Sequence, residues 1–73
     1  MQRYSNRSGD SGITAYEAGP DYILVQFRSG TSYRYSYARA GQVHVEQMKI
    51  LAASGRGLSG YISKYVHDLA DPR

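Results

Sequence analysis

The chain contains no cysteine and no tryptophan, a single phenylalanine and two prolines among 73 residues. Without cysteine there is no disulfide and no thiolate metal site. His44 and His67 stand far apart with no partner at ligand spacing, so no metal is expected. No apolar run approaches membrane length, and the stretch from Met1 to Arg7 lacks the apolar segment of a signal peptide. The expectation is a cytoplasmic protein without membrane or metal partners. Acidic residues are also scarce, six against nine Lys and Arg, which leaves a net charge of +3. That balance favours an anionic partner. Seven of the nine positive residues are arginine, whose fork suits bidentate phosphate contacts.

What the chain has in excess is tyrosine, eight residues of it. Tyrosine combines an apolar ring with a polar tip, so it serves half-buried faces, interfaces and base stacking. A chain this short makes one domain and buries only about 60% of the surface its unfolded form exposes. Self-association into a homo-oligomer is the expected extra support, since disulfides and metals are excluded.

Along the chain, residues 1–10 show no periodicity and read as a flexible polar arm; residues 11–70 form the domain. A first strand runs from about Ser11 to Glu17, and Gly19-Pro20-Asp21 turns it. Tyr22 to Arg28 alternates, with Ile23, Val25 and Phe27 on one face and Tyr22, Leu24 and Gln26 on the other. Ser29-Gly30 marks a hairpin. Thr31 to Tyr37 alternates strictly, with Tyr33, Tyr35 and Tyr37 on one face and Arg34 on the other. That tyrosine row reads as the core side of the sheet rather than as a stacking platform, which puts Arg34, Gln26 and Arg28 toward the open face.

After Gly41 the period changes. Val45, Met48 and Ala52 recur at helical spacing over about residues 42–53. A second helix follows the Ser54 to Gly60 interruption, with Leu58, Ile62, Tyr65, Val66 and Leu69 on one stripe. The fold class is therefore α+β, a three-stranded antiparallel sheet followed by two helices packed on one of its faces.

The interruption is the most informative segment for function. Its glycines let backbone N–H groups converge at the start of the second helix, where an anion is favoured. Arg56 adds a guanidinium there, and the amides of Gly57, Leu58 and Ser59 assist; Arg34 and Lys64 are secondary phosphate contacts. The same segment also reads as an ordinary helical corner, with Gly55 ending one helix, Ser59 capping the next and Arg56 facing water. No nucleophile stands beside a base, and the lysine-containing phosphate loop is missing, so no catalytic residue is named and no enzyme is expected.

In order and spacing, the chain resembles the KTSC domain. The matching residues are Ser11 and Tyr16, then Leu24, Val25, Phe27 and Gly30. They continue with Tyr33-Arg34-Tyr35, Ala52 with Ser54 and Gly57, and finally Ile62 with Tyr65. Leu58-Ser59-Gly60 departs from the family's aromatic Tyr-Phe-Asn, which marks a divergent branch. KTSC domains occur at the C-terminus of some lysyl-tRNA synthetases and as stand-alone bacterial and phage proteins; the resemblance implies RNA binding without catalysis. Together these features point to a binding module for RNA or single-stranded nucleic acid, with no cofactor. Two alternatives stay open. One is an oligomeric, phage-encoded sponge for a nucleotide messenger, and the other is a protein-interaction module.

Overall fold

The computed structural model describes residues 1–6 and 12–72. Its sheet has four strands in chain order, each antiparallel to the next: β1 (Gln2–Arg3), β2 (Ile13–Ala18), β3 (Tyr22–Phe27) and β4 (Ser32–Ser36). Helix α1 (Gln42–Ser54) follows, then α2 (Leu58–Tyr61), which runs directly into a π-helical stretch over Ile62–Val66. The α+β class and the order of strands before helices match expectation; the strand count does not.

The extra strand is β1, at the start of the segment expected to be a loose arm. Gln2 pairs with Tyr16 and Arg3 with Ala15. Tyr4 continues the pairing, its N–H donating to the Thr14 carbonyl at 3.0 Å, and its ring enters the core at 3% exposure. Two paired residues with polar side chains leave no periodic signal, so this strand exists through its tertiary contacts. Residues 7–10 of the expected arm, and Ser11, lie outside the described residues.

In β2 the register shifts between Ile13 and Ala15, the extra residue being Thr14. This bulge lets Ile13 and Tyr16, three apart, both point into the core although strict alternation would oppose them. Across β3, Ile23 and Val25 are fully buried, and Tyr35 of β4 lies opposite Ile23. Helix α1 covers them with Val45, Met48 and Ala52, and the second helical segment adds Leu58, Ile62 and Val66. The tyrosine row behaves unevenly. Tyr35 is core and Tyr37 half-buried, while Tyr33 is 40% exposed, edge-on to a half-buried Phe27 with ring centroids 5.6 Å apart. Phe27 therefore sits at the rim of the core, not in its centre.

Tyr37 has a polar task as well. Its hydroxyl donates to the Glu46 carboxylate at 2.5 Å, and Lys49 approaches the same oxygen at 2.8 Å. The Lys49 ammonium, then the Tyr37 hydroxyl, hold the Glu46 carboxyl below its ordinary range. A depressed folded-state value stabilises the fold above the usual carboxylate pKa and loses that contribution as pH falls through it. Tyr37→Phe is therefore expected to flatten the acid limb of a plot of Tm against pH, from roughly pH 5 downward. An acid limb identical to that of the parent would refute this linkage.

The face of the sheet away from the helices is tied down by the C-terminal segment. The Asp71 N–H donates to the Arg34 carbonyl at 2.6 Å, on the outer edge of β4. Its carboxylate accepts from the Ser36 hydroxyl at 2.6 Å and pairs with Arg34 Nε at 3.5 Å. The Arg34 guanidinium also lies 4.6 Å from the Tyr22 ring centroid, and the Tyr22 hydroxyl donates to Glu17 at 2.6 Å. Among the described residues no helix is long and apolar enough to cross a membrane.

Candidate functional site

The corner between the helices has the backbone its glycines require. Gly55 ends α1 in the left-handed region at φ 79°, its N–H reaching the carbonyls of Leu51 at 3.0 Å and Ala52 at 3.2 Å. Gly57 caps the start of α2 at φ 83°. Two left-handed residues bracketing Arg56 reverse the chain within one turn, which a side chain at either glycine would strain.

The amides of this corner are not all free for an anion. The Leu58 N–H points at the Tyr4 hydroxyl, 3.4 Å away and buried, and the Leu58 side chain fills the core. No side-chain hydrogen bond caps α2, so Ser59 is not its cap but a half-buried residue of its first turn. Arg56 is exposed at the tip, and among the described residues no ion pair engages it.

The remaining expected contacts are not assembled there. Arg34 lies on the sheet face opposite the helices, its guanidinium already shared between Tyr22 and Asp71. Lys64 belongs to the π-helical stretch, its Nζ 5.4 Å from the Tyr65 ring centroid. Chain connectivity groups Arg56, Gly57, Leu58 and Ser59; folding does not bring Arg34 to them.

Folding does assemble an aromatic step that no local stretch of sequence displays. His44, in the first turns of α1, meets Tyr61 and Tyr65 across the helix pair. Tyr61 and Tyr65 have centroids 4.7 Å apart, His44 lies edge-on to Tyr61 at 5.7 Å, and it stacks near-parallel on Tyr65 at 6.0 Å. His44 Nδ1 and the Tyr61 hydroxyl are 2.7 Å apart. Burial, then the neighbouring Tyr65, push the Tyr61 phenol up. The Tyr61 hydroxyl thus stays protonated, and its hydrogen bond with the His44 ring nitrogen fixes both rings.

The wide turn of Ile62–Val66 explains why Tyr65 is on this step and not in the core. Continuing an α-helix from Leu58 would carry Tyr65 toward the buried stripe of Ile62 and Val66. The π-helical turn holds Ile62 and Val66 both inward and swings Tyr65 out to 49% exposure. Such turns are rare and concentrate at functional sites. The step and the corner are separate places. Along α1, His44 and Gly55 are eleven residues apart, roughly 16 Å at the helical rise.

The result is a half-exposed aromatic platform, braced by a second ring and an imidazole, with an ammonium over its face. Among the described residues no group of His, Asp and Glu is placed to hold a metal ion. Comparison with protein-family models, with curated proteins and with solved structures finds no match.

Proposed function

We propose that this protein is a non-catalytic binding module for single-stranded nucleic acid, RNA foremost, with Tyr65 as the surface on which a base stacks. The observation that carries this reading is the geometry of Tyr65: half exposed, turned out by a rare backbone, held rigid by Tyr61 and His44, and overlain by Lys64. A core has no use for such a ring. A base does, because every base has a π-face, and a pre-fixed platform lowers the ordering cost of binding.

The ligand's base displaces the Lys64 ammonium from the ring face, and the ammonium moves to the adjoining phosphate. Arg56, exposed at the corner, extends the positive surface toward the backbone of a longer strand. The excess of arginine and the net charge of +3 support the same class of partner, as does the resemblance to the KTSC domain.

Fluorescence anisotropy with a labelled single-stranded oligoribonucleotide tests the reading. Affinity should fall linearly on a log–log plot against salt, and Lys64→Ala should shallow the slope by about 0.7. Binding that is absent at low salt, or indifferent to salt, would exclude it. A duplex of the same length should bind more weakly, since its bases are already stacked on one another.

A further inference from the structure

A π-helical turn is rare, and the chain on either side must keep it from closing into an ordinary helix. Upstream of Ile62–Val66 the hold is plain. Leu58 is buried with its amide at the Tyr4 hydroxyl, and Tyr61 is bonded to His44 at 2.7 Å. Downstream, the Leu69 N–H donates to the Val66 carbonyl at 2.9 Å, and Leu69 and Ala70 are only half-buried. The firm point is Asp71, four residues beyond the turn's neighbour Val66 once His67 to Ala70 are counted. Its N–H donates to the Arg34 carbonyl at 2.6 Å, and its two carboxylate oxygens meet the Ser36 hydroxyl at 2.6 Å and Arg34 Nε at 3.5 Å.

We infer that Asp71 is a positioning residue for Tyr65, holding that ring outward through the short chain between them. The same five residues wound as a π-helix and as an α-helix differ in length and in rotation. Exchanging one for the other therefore carries everything beyond Val66 to a new place. With Asp71 fastened to a strand, and the Leu69 turn drawing in the chain between, that displacement is blocked. The anchor itself is fixed. Arg34 and Ser36 are paired with Leu24 and Tyr22 of β3, and the Arg34 guanidinium rests 4.6 Å from the Tyr22 ring centroid. When the clasp opens, the stretch closes to regular spacing and Tyr65 turns toward the stripe of Ile62 and Val66. Arg34 and Ser36 face away from the helices, so Asp71 acts on the ring through the backbone alone.

NMR of the whole chain tests this through the ring-proton contacts of His44 with Tyr61 and with Tyr65. Asp71→Ala should lose the Tyr65 contact and keep that of Tyr61, which precedes the wide turn. Asp71→Asn retains an oxygen for the Ser36 hydroxyl, so it should keep both.

A second readout rests on the nucleic-acid reading proposed above. Asp71→Ala removes a negative charge, which by itself tightens binding to a polyanion. Loss of the platform predicts the opposite. Affinity for a single-stranded oligoribonucleotide should fall about 5- to 150-fold, the range for one stacked base. Adding Asp71→Ala to Tyr65→Ala should cause no further fall.

A Tyr65 contact that survives in Asp71→Ala overturns the inference, as does tighter binding by that variant. If Asp71→Ala loses both ring contacts, Ser36→Ala decides. A weakened Tyr65 contact beside an intact Tyr61 contact supports the inference, and a spectrum like the parent's overturns it. A parent that binds no oligonucleotide refutes the reading above and not this inference, which the ring contacts then decide alone.

Discussion

Tyr4→Ala should unfold much of the protein. Truncating a buried aromatic side chain costs about 3–5 kcal/mol. A chain of this length has a total stability of roughly 4–11 kcal/mol at 0.05–0.15 kcal/mol per residue. Tyr4 is 3% exposed and lies in the core cluster, and its hydroxyl is the partner of the buried Leu58 amide. One side chain thus joins the first strand to the corner between the helices. Urea unfolding followed by circular dichroism is the measurement, with a large fall in midpoint expected. Tyr4→Phe separates the two contributions. It keeps the ring and orphans the amide, so its cost should be about 1–3 kcal/mol. A midpoint for Tyr4→Ala close to that of the parent would mean the N-terminal segment is not packed as described.

The second large effect falls on binding. Tyr65→Ala should weaken oligoribonucleotide affinity by about 1–3 kcal/mol, roughly 5- to 150-fold, the worth of one stacked base. Tyr65→Phe should bind nearly as the parent does, because the face and not the hydroxyl makes the contact. Both should melt near the parent temperature, since half of the ring is already in water. Equal losses for Ala and Phe would point to a hydrogen bond from the hydroxyl instead of stacking. No loss for either would remove Tyr65 from the site.

Much of the fold could be read without coordinates, for identifiable reasons. The alternation of Tyr22 to Phe27 fixed a strand and its inward face, and Val45, Met48 and Ala52 fixed α1 with its buried side. Gly55 and Gly57 marked the corner because only glycine adopts that backbone readily. Strand β1 was not legible: a two-residue strand has no period, and its evidence is Tyr4 packing against residues far along the chain. Regular helical spacing places Tyr65 on the inner stripe with Ile62 and Val66, and the π-helical turn rotates it outward.

The site was legible only in part. Arg56 and its glycines could be located in the sequence, but the occupant of the Leu58 amide could not, being the hydroxyl of Tyr4 from the other end of the chain. Arg34 looked available; its two partners, Tyr22 and Asp71, come from another strand and from the tail. The aromatic step needed His44 and Tyr61, seventeen residues apart, to meet across two helices. A faint signal existed in the four-residue spacing of Tyr61 and Tyr65, which places two rings side by side on any helix.

The clasp made by Asp71 bears on how the protein behaves when crowded. An outer strand offers its main-chain groups to any extended stranger, and unguarded rims of this kind seed runaway fibre growth. Here the Arg34 carbonyl on that rim is occupied by the chain's own tail, while the opposite rim is a strand of only two residues. Ribbon-to-ribbon stacking is thereby discouraged at both margins, so concentrated solutions should stay clear for as long as the tail holds.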